Sequence, residues 1–284
     1  PVYCRDDLTM NPQIFGDFMP QSTAIEIPGI AQLHWSGLFL SFSIVAIFVF
    51  LHWMVNRQRY ELSHSLVFDF VIYITIGSIV GSRIGYCLFV DSDIFFQFKN
   101  TFPFWGVLSP DEGGFSSFGA YFGVLISCML FTARFGVSRV YLFDLASIVA
   151  PISLFCMRIS TFLTGELFGR EIQSYFPYPV KIVNEILFWP KENLEKVKLL
   201  SPITENLNIQ SDVLQTSMSQ YSTDAQAQIH IHQILSQVID YLVKNPSEYF
   251  EKIFPLLKER YPIQIMEAGI QGFLIFLILL IAWN

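Results

Sequence analysis

Four uninterrupted apolar runs of about 20 residues, and a fifth of 16, decide what this 284-residue chain can become. About 30 Å of hydrocarbon at 1.5 Å per residue calls for roughly that length. Residues 37–55, 70–90, 113–133 and 145–165 meet it, and 268–283 falls just short where the chain stops. Such runs cannot all be buried in a soluble globule. Hydrophobic residues make up 52% of the chain and charged residues only 14%, against roughly 25% charged in soluble domains. A segment crossing lipid must satisfy its own backbone, so the runs read as helices. The expected fold class is all-α, a polytopic transmembrane helix bundle with an extracytoplasmic, largely helical insert. The start at Pro1 and the stop at Asn284 inside an apolar run read as a fragment.

The few charges are unevenly placed. Of 41 charged residues, 19 lie within 171–260. The segment 56–65 carries Arg57 and Arg59, and 133–144 carries Arg134 and Arg139, whereas 91–112 has Lys99 beside Asp91, Asp93, Asp111 and Glu112. Basic short loops stay in the cytoplasm, so the amino terminus, 91–112 and 171–260 are expected outside. Four segments follow: an extracytoplasmic stretch 1–36, four transmembrane helices in 37–170, an extracytoplasmic insert 171–260, and the start of a fifth helix in 261–284. The net charge of -7 excludes a broad nucleic-acid footprint.

Within the insert, Ile231, Ile234, Leu235, Val238 and Leu242 recur with helical spacing and predict one buried face. A second helix is expected near Ser247, kinked at Pro255, and the polar stretch 200–226 reads as loop. Cys87, Cys128 and Cys156 sit in apolar runs and Cys4 in a polar one, which gives neither a disulfide framework nor metal-ligand spacing. His230 and His232 are two apart on a helix and share no face, which argues against a metal pair.

Charges inside the runs are the places to look for chemistry. Arg83 lies in Gly81-Ser82-Arg83-Ile84-Gly85-Tyr86 and Arg158 in Met157-Arg158-Ile159-Ser160-Thr161. An arginine at mid-span costs about 2.5–3.5 kcal/mol on insertion scales, so a function is the default expectation. A guanidinium grips phosphate through parallel hydrogen bonds. The alternative is that each arginine snorkels to an interface or pairs with an acid such as Glu166 or Glu267. In Thr164-Gly165-Glu166-Leu167-Phe168-Gly169-Arg170, Glu166 and Arg170 are four apart and on a helix would form an ion pair. Otherwise Glu166 orients an arginine while Arg170 meets an anion at the membrane face. Glu267, in Tyr261-Pro262-Ile263-Gln264-Ile265-Met266-Glu267, is either a helix-start residue or a site group, the former favoured. Gly113-Gly114-Phe115-Ser116-Ser117-Phe118-Gly119 opens the third run and suits helix packing, or a backbone cradle for a headgroup.

Taken in order, these motifs, together with His34-Trp35-Ser36-Gly37 at the first run, resemble the bacterial prolipoprotein diacylglyceryl transferases. The resemblance covers about 30–170 and 261 to the end, with Gly165-Glu166-Leu167-Phe168-Gly169-Arg170 its most specific piece. It implies an enzyme of the bacterial inner membrane that moves a diacylglyceryl group from phosphatidylglycerol to the lipobox cysteine of a prolipoprotein, among membrane lipids and with no cofactor or metal. Arg158, Glu166 and Arg83 would then be catalytic: the arginines supply positive charge to the departing phosphate and Glu166 holds an arginine in place. Arg170, Gly113, Gly114, Gly119, Gly169, Thr161 and Glu267 would contact lipid or substrate. The family has a tyrosine where Ser36 stands, a histidine where Phe118 stands and an asparagine where Thr161 stands, and its carboxyl-terminal arginine-bearing helix would lie beyond Asn284. Two other readings stay open: a non-catalytic relative that binds phosphatidylglycerol or prolipoprotein as a scaffold, and a small anion transporter.

Overall fold

The computed structural model describes residues 23–27, 31–57, 62–98, 104–108, 114–173, 175–192, 194–207, 209, 218–219, 221, 224–245, 247 and 249–283. Among the described residues, five helices are long and apolar enough to cross a membrane: α1 (Trp35–Arg57), α2 (His64–Phe89), α3 (Ser117–Phe135), α4 (Arg139–Thr164) and, after the insert, Ile263–Trp283. The chain divides into two compact units. One comprises Phe39–Met157 with Ala268–Asn284, the other Pro1–Leu38 with Arg158–Glu267.

The first unit is a bundle that is apolar on its outside as well as in its core. Its interior gathers Leu51, Phe70, Phe131, Leu142 and Leu145, all fully buried, with Phe70 and Phe131 ring centroids 5.3 Å apart. The opposite sides of the helices expose Phe42, Val49, Phe68, Ile76, Phe122 and Leu130. In water those side chains would aggregate; in hydrocarbon they cost nothing. With lipid as apolar as leucine, helices associate by packing alone, and small residues allow it. On α2, Gly77, Gly81 and Gly85 repeat every four residues, and on α3 so do Gly119, Gly123 and Ser127. A Cβ on Gly81 would stand 2.5 Å from the Gly119 carbonyl oxygen, and one on Gly85 2.6 Å from the Gly119 Cα. The two backbones therefore touch along three turns. Ser116 caps α3, its hydroxyl accepting from the Gly119 N–H at 3.3 Å, and Gly136 ends it in the left-handed region at φ 75°.

The second unit holds the insert. Its longest helix is α5 (Ala225–Lys244), begun by Asp224, whose carboxylate accepts from the Gln226 N–H at 2.9 Å. Ile231, Ile234, Leu235, Val238 and Leu242 are all buried, as their spacing predicts, in a core with Val183, Ile186, Trp189 and Leu200. Two expectations differ in detail. Ser201–Asn206, expected as loop, is helical, because Ile203 beside Leu200 has the same apolar core to enter. Beyond Ser247, Tyr249–Ile253 is π-helical and Phe254–Leu256 a 3-10 turn rather than one kinked α-helix, since Pro255 has no N–H to continue the ladder. Before α1, β1 (Thr23–Ile27) and β2 (Ala31–His34) form an antiparallel hairpin that the sequence pattern does not announce.

The last span, α6 (Ile263–Trp283), is α-helical over Ile263–Glu267, π-helical over Ala268–Leu274 and α-helical again over Ile275–Trp283. Gly272 lies so close to α4 that a Cβ would stand 2.6 Å from the Cβ of Phe155.

Candidate active site

Arg83 and Arg158 belong to different units, and their surroundings differ in kind. Arg83 is only 8% exposed. Its Nε donates to the Val107 carbonyl at 2.7 Å, Nη2 to Gly106 at 3.0 Å and Nη1 to Gly114 at 3.1 Å. The 3-10 turn Gly106–Leu108 is thereby tied to α2, helped by a small cluster of Cys87, Ile94 and Val107. The Ser116 N–H adds a bond to the Ser82 carbonyl at 3.0 Å. Arg83 thus fixes the segment that leads into α3. Gly114 supplies one acceptor, and a Cβ there would stand 3.0 Å from the Tyr86 ring. Gly113 lies outside the described residues. Gly119 is filled by the backbone of α2, so the small-residue motif serves helix packing here.

Arg158 is more open. Its Nη1 lies 3.0 Å from Oε2 of Glu267, with the two side chains 28% and 29% exposed. Among the described residues this is its one side-chain contact, which leaves most of its five N–H donors available. Glu267 is therefore a partner of the intramembrane arginine and not a helix-start residue; it is the fifth residue of α6, where the ladder turns from α to π. π-helical geometry within α-helices is frequent at functional sites. Thr161, one turn on from Arg158, donates its hydroxyl to the Arg158 carbonyl at 3.0 Å.

The stretch after α4 departs from the expected geometry. α4 ends at Thr164, Gly165 takes φ 65°, and 166–170 has no regular secondary structure. Glu166 and Arg170 consequently do not form the ion pair that helical spacing would give. Both are exposed, and among the described residues neither has a side-chain partner. The acid on Arg158 is Glu267, not Glu166.

What orders this stretch comes from far along the chain. The Asn184 side-chain amide donates to the Thr164 and Gly165 carbonyls at 3.2 and 3.0 Å. The Gln264 amide donates to the Leu167 carbonyl, and Arg260 Nη1 donates to the Gly169 carbonyl at 3.1 Å. Gly169 has no room for a Cβ, which would collide with the Tyr261 carbonyl oxygen, and the Tyr261 N–H bonds Arg170 at 3.2 Å. Arg260 also reaches Oε2 of the fully buried Glu185 at 3.0 Å and covers the Phe168 ring at 4.6 Å. Asn184, Glu185, Arg260 and Gln264 were not legible as site residues. Gln264 sits inside a motif and Arg260 directly before it, a usable signal, whereas nothing local marks Asn184 or Glu185.

Arg170, Glu171, Gln173 and Tyr261 line a shallow cleft. Beside it the Lys258 ammonium, bonded to Glu171, holds that carboxyl below the usual range. The same bond, followed by one to Glu192 at 3.2 Å, raises Lys258.

The family model described as prolipoprotein diacylglyceryl transferase matches residues 22–284. The chain belongs to that family. A phosphatidylglycerol–prolipoprotein diacylglyceryl transferase of Bdellovibrio bacteriovorus is 35% identical over 268 residues, 94% of this chain and 76% of that protein. Proteins of the same description from Bradyrhizobium diazoefficiens and Legionella pneumophila (strain Lens) are 31% identical over 168 residues and 29% over 142. Those alignments cover 57% and 50% of this chain and 57% and 54% of the relatives, about half of each. Membership and the five spans together make this a multi-pass membrane protein. Phe118, on the first turn of α3, is 77% exposed and offers no group that could take a proton.

Proposed function

We propose that this chain transfers the diacylglyceryl group of phosphatidylglycerol to the lipobox cysteine of a prolipoprotein. In that reaction the thiol sulfur bonds to the glyceryl carbon as that carbon's bond to phosphate oxygen breaks. The thiol proton balances on the departing glycerol phosphate, so no cofactor enters. A phosphate gaining charge needs prearranged donors. The observation that carries the reading is Arg158: a guanidinium within a span, held by one acid, with donors left for an anion.

Each remaining residue has an assigned part. Glu267 holds Arg158, and Arg83 keeps the Gly106–Leu108 turn and Gly114 in place while adding fixed positive charge. Glu166, exposed on the stretch after α4, faces the substrate rather than an arginine, and Arg170 forms the outer rim. Gly114 is assigned to the headgroup through its lack of a side chain and Thr161 to substrate contact near Arg158, while Gly119 and Gly169 act through the close packing they permit. The loops bearing Arg57 and Arg134 are cytoplasmic in this reading. The amino terminus, 91–112 and the insert 171–260 face outward from the bacterial inner membrane, where precursors emerge.

The test is direct. Full-length protein given phosphatidylglycerol vesicles and a lipobox peptide is expected to add a diacylglyceryl mass to the cysteine, and Arg158→Ala to abolish the addition. Unchanged peptide with lipid still bound would support a scaffold, the alternative that Phe118 favours. Binding of neither lipid nor peptide would reopen transport.

A further inference from the structure

We infer that Asn184, Gln264 and Arg260, the last locked by Glu185, are positioning residues that clamp the backbone at 164–169 and so aim Glu166 and Arg170. The catalytic meaning of that aim rests on the transferase reading; the clamp does not.

A segment without secondary structure has no ladder to order it, and its carbonyls must find donors elsewhere. Here the carbonyls of Thr164, Gly165, Leu167 and Gly169 are all met by side-chain N–H groups. The donors lie 19 to 97 residues away in sequence. Between these anchored carbonyls stand Glu166 and, directly after them, Arg170, the exposed charged side chains of the stretch. A backbone pinned on one side and charged side chains turned to solvent is the arrangement a preorganised site needs.

Arg260 is itself immobilised. Its backbone exchanges two hydrogen bonds of 3.0 Å with Val180, its Nε meets Glu185, and its guanidinium lies on Phe168. Glu185 is completely buried and Arg260 nearly so. Burying an ion pair adds little net stability, because desolvation offsets the attraction; what such a pair supplies is a fixed geometry. Lysine in place of Arg260 keeps the charge and loses the planar fork that reaches Glu185 and the Gly169 carbonyl together.

Two measurements on full-length protein in phosphatidylglycerol nanodiscs test this. For Arg260→Lys, and separately for Gln264→Leu, backbone hydrogen exchange at 165–170 is expected to rise while exchange across α5 stays unchanged. With lipobox peptide, kcat is expected to fall about 100-fold with KM for both substrates within about 2-fold, since misplacing a group by about 1 Å costs that much. Unchanged exchange at 165–170 in both variants overturns the clamp, as does a rise that spreads equally over α5, which is general unfolding. A wild type that protects 165–170 but transfers nothing overturns the transferase reading and leaves the clamp standing.

Discussion

A guanidinium carries five N–H donors in one plane, and how many of them the protein engages decides what is left for a ligand. Arg83 bonds three backbone carbonyls in a buried setting; Arg158 meets one carboxylate and stays partly open. The two have similar neighbours in sequence, so only their partners separate a brace from a guanidinium with donors to spare. Arg83→Met strips donors from three carbonyls, two of the bonds buried, at about 1–3 kcal/mol for each acceptor left bare. Its thermal midpoint is therefore expected to drop well below that of Arg158→Met, with faster proteolysis near 104–108, as unfolding scans and limited digestion would record. Equal midpoints would mean that Arg83 does not brace the loop. Both arginines were visible as intramembrane charges from their position in apolar runs. That Glu267 pairs with Arg158 was one of several open choices, because pairing depends on where α6 arrives and not on spacing.

At the level of elements, the contact of α2 with α3 rests on glycines that leave no space between backbones. Gly119→Ala puts a methyl where the Gly81 carbonyl stands, and overpacking of this kind costs about 1–3 kcal/mol. Gly269, in the π-helical part of α6, has nothing within 4 Å of a would-be Cβ, so Gly269→Ala is expected to be neutral. Thermal unfolding in detergent compares the pair, and a Gly119→Ala midpoint as high as that of Gly269→Ala would refute the close-packing account. The spans were legible because lipid demands an apolar run of fixed length, and α5 because its apolar face repeats every three to four residues. The π-helical stretch after Glu267 and the hairpin before α1 carry no periodicity that would reveal them. The helical ion pair of Glu166 with Arg170 failed for a definite reason: Gly165 ends α4 in a conformation that turns the chain away.

For the whole molecule, the distribution of charge sets the arrangement across the membrane. In a Cys4→Ser background, a membrane-impermeant maleimide added to intact cells is expected to label Asp93→Cys but not Arg139→Cys unless the membrane is opened. The reverse pattern would invert the proposed topology and with it the access of secreted precursors to 171–260. By itself the sequence determined the bilayer as solvent, the number and place of the spans, the buried face of α5 and the family motifs, since each rests on local pattern or on residues adjacent in the chain. Tertiary structure alone decided that Glu267 takes Arg158, that Arg83 closes on the Gly106–Leu108 turn, and that Asn184, Gln264 and Arg260 meet at the carbonyls beside Glu166. Those bonds join groups from 19 to 109 positions apart, and which distant donor reaches a given carbonyl is set by packing, which no local pattern encodes.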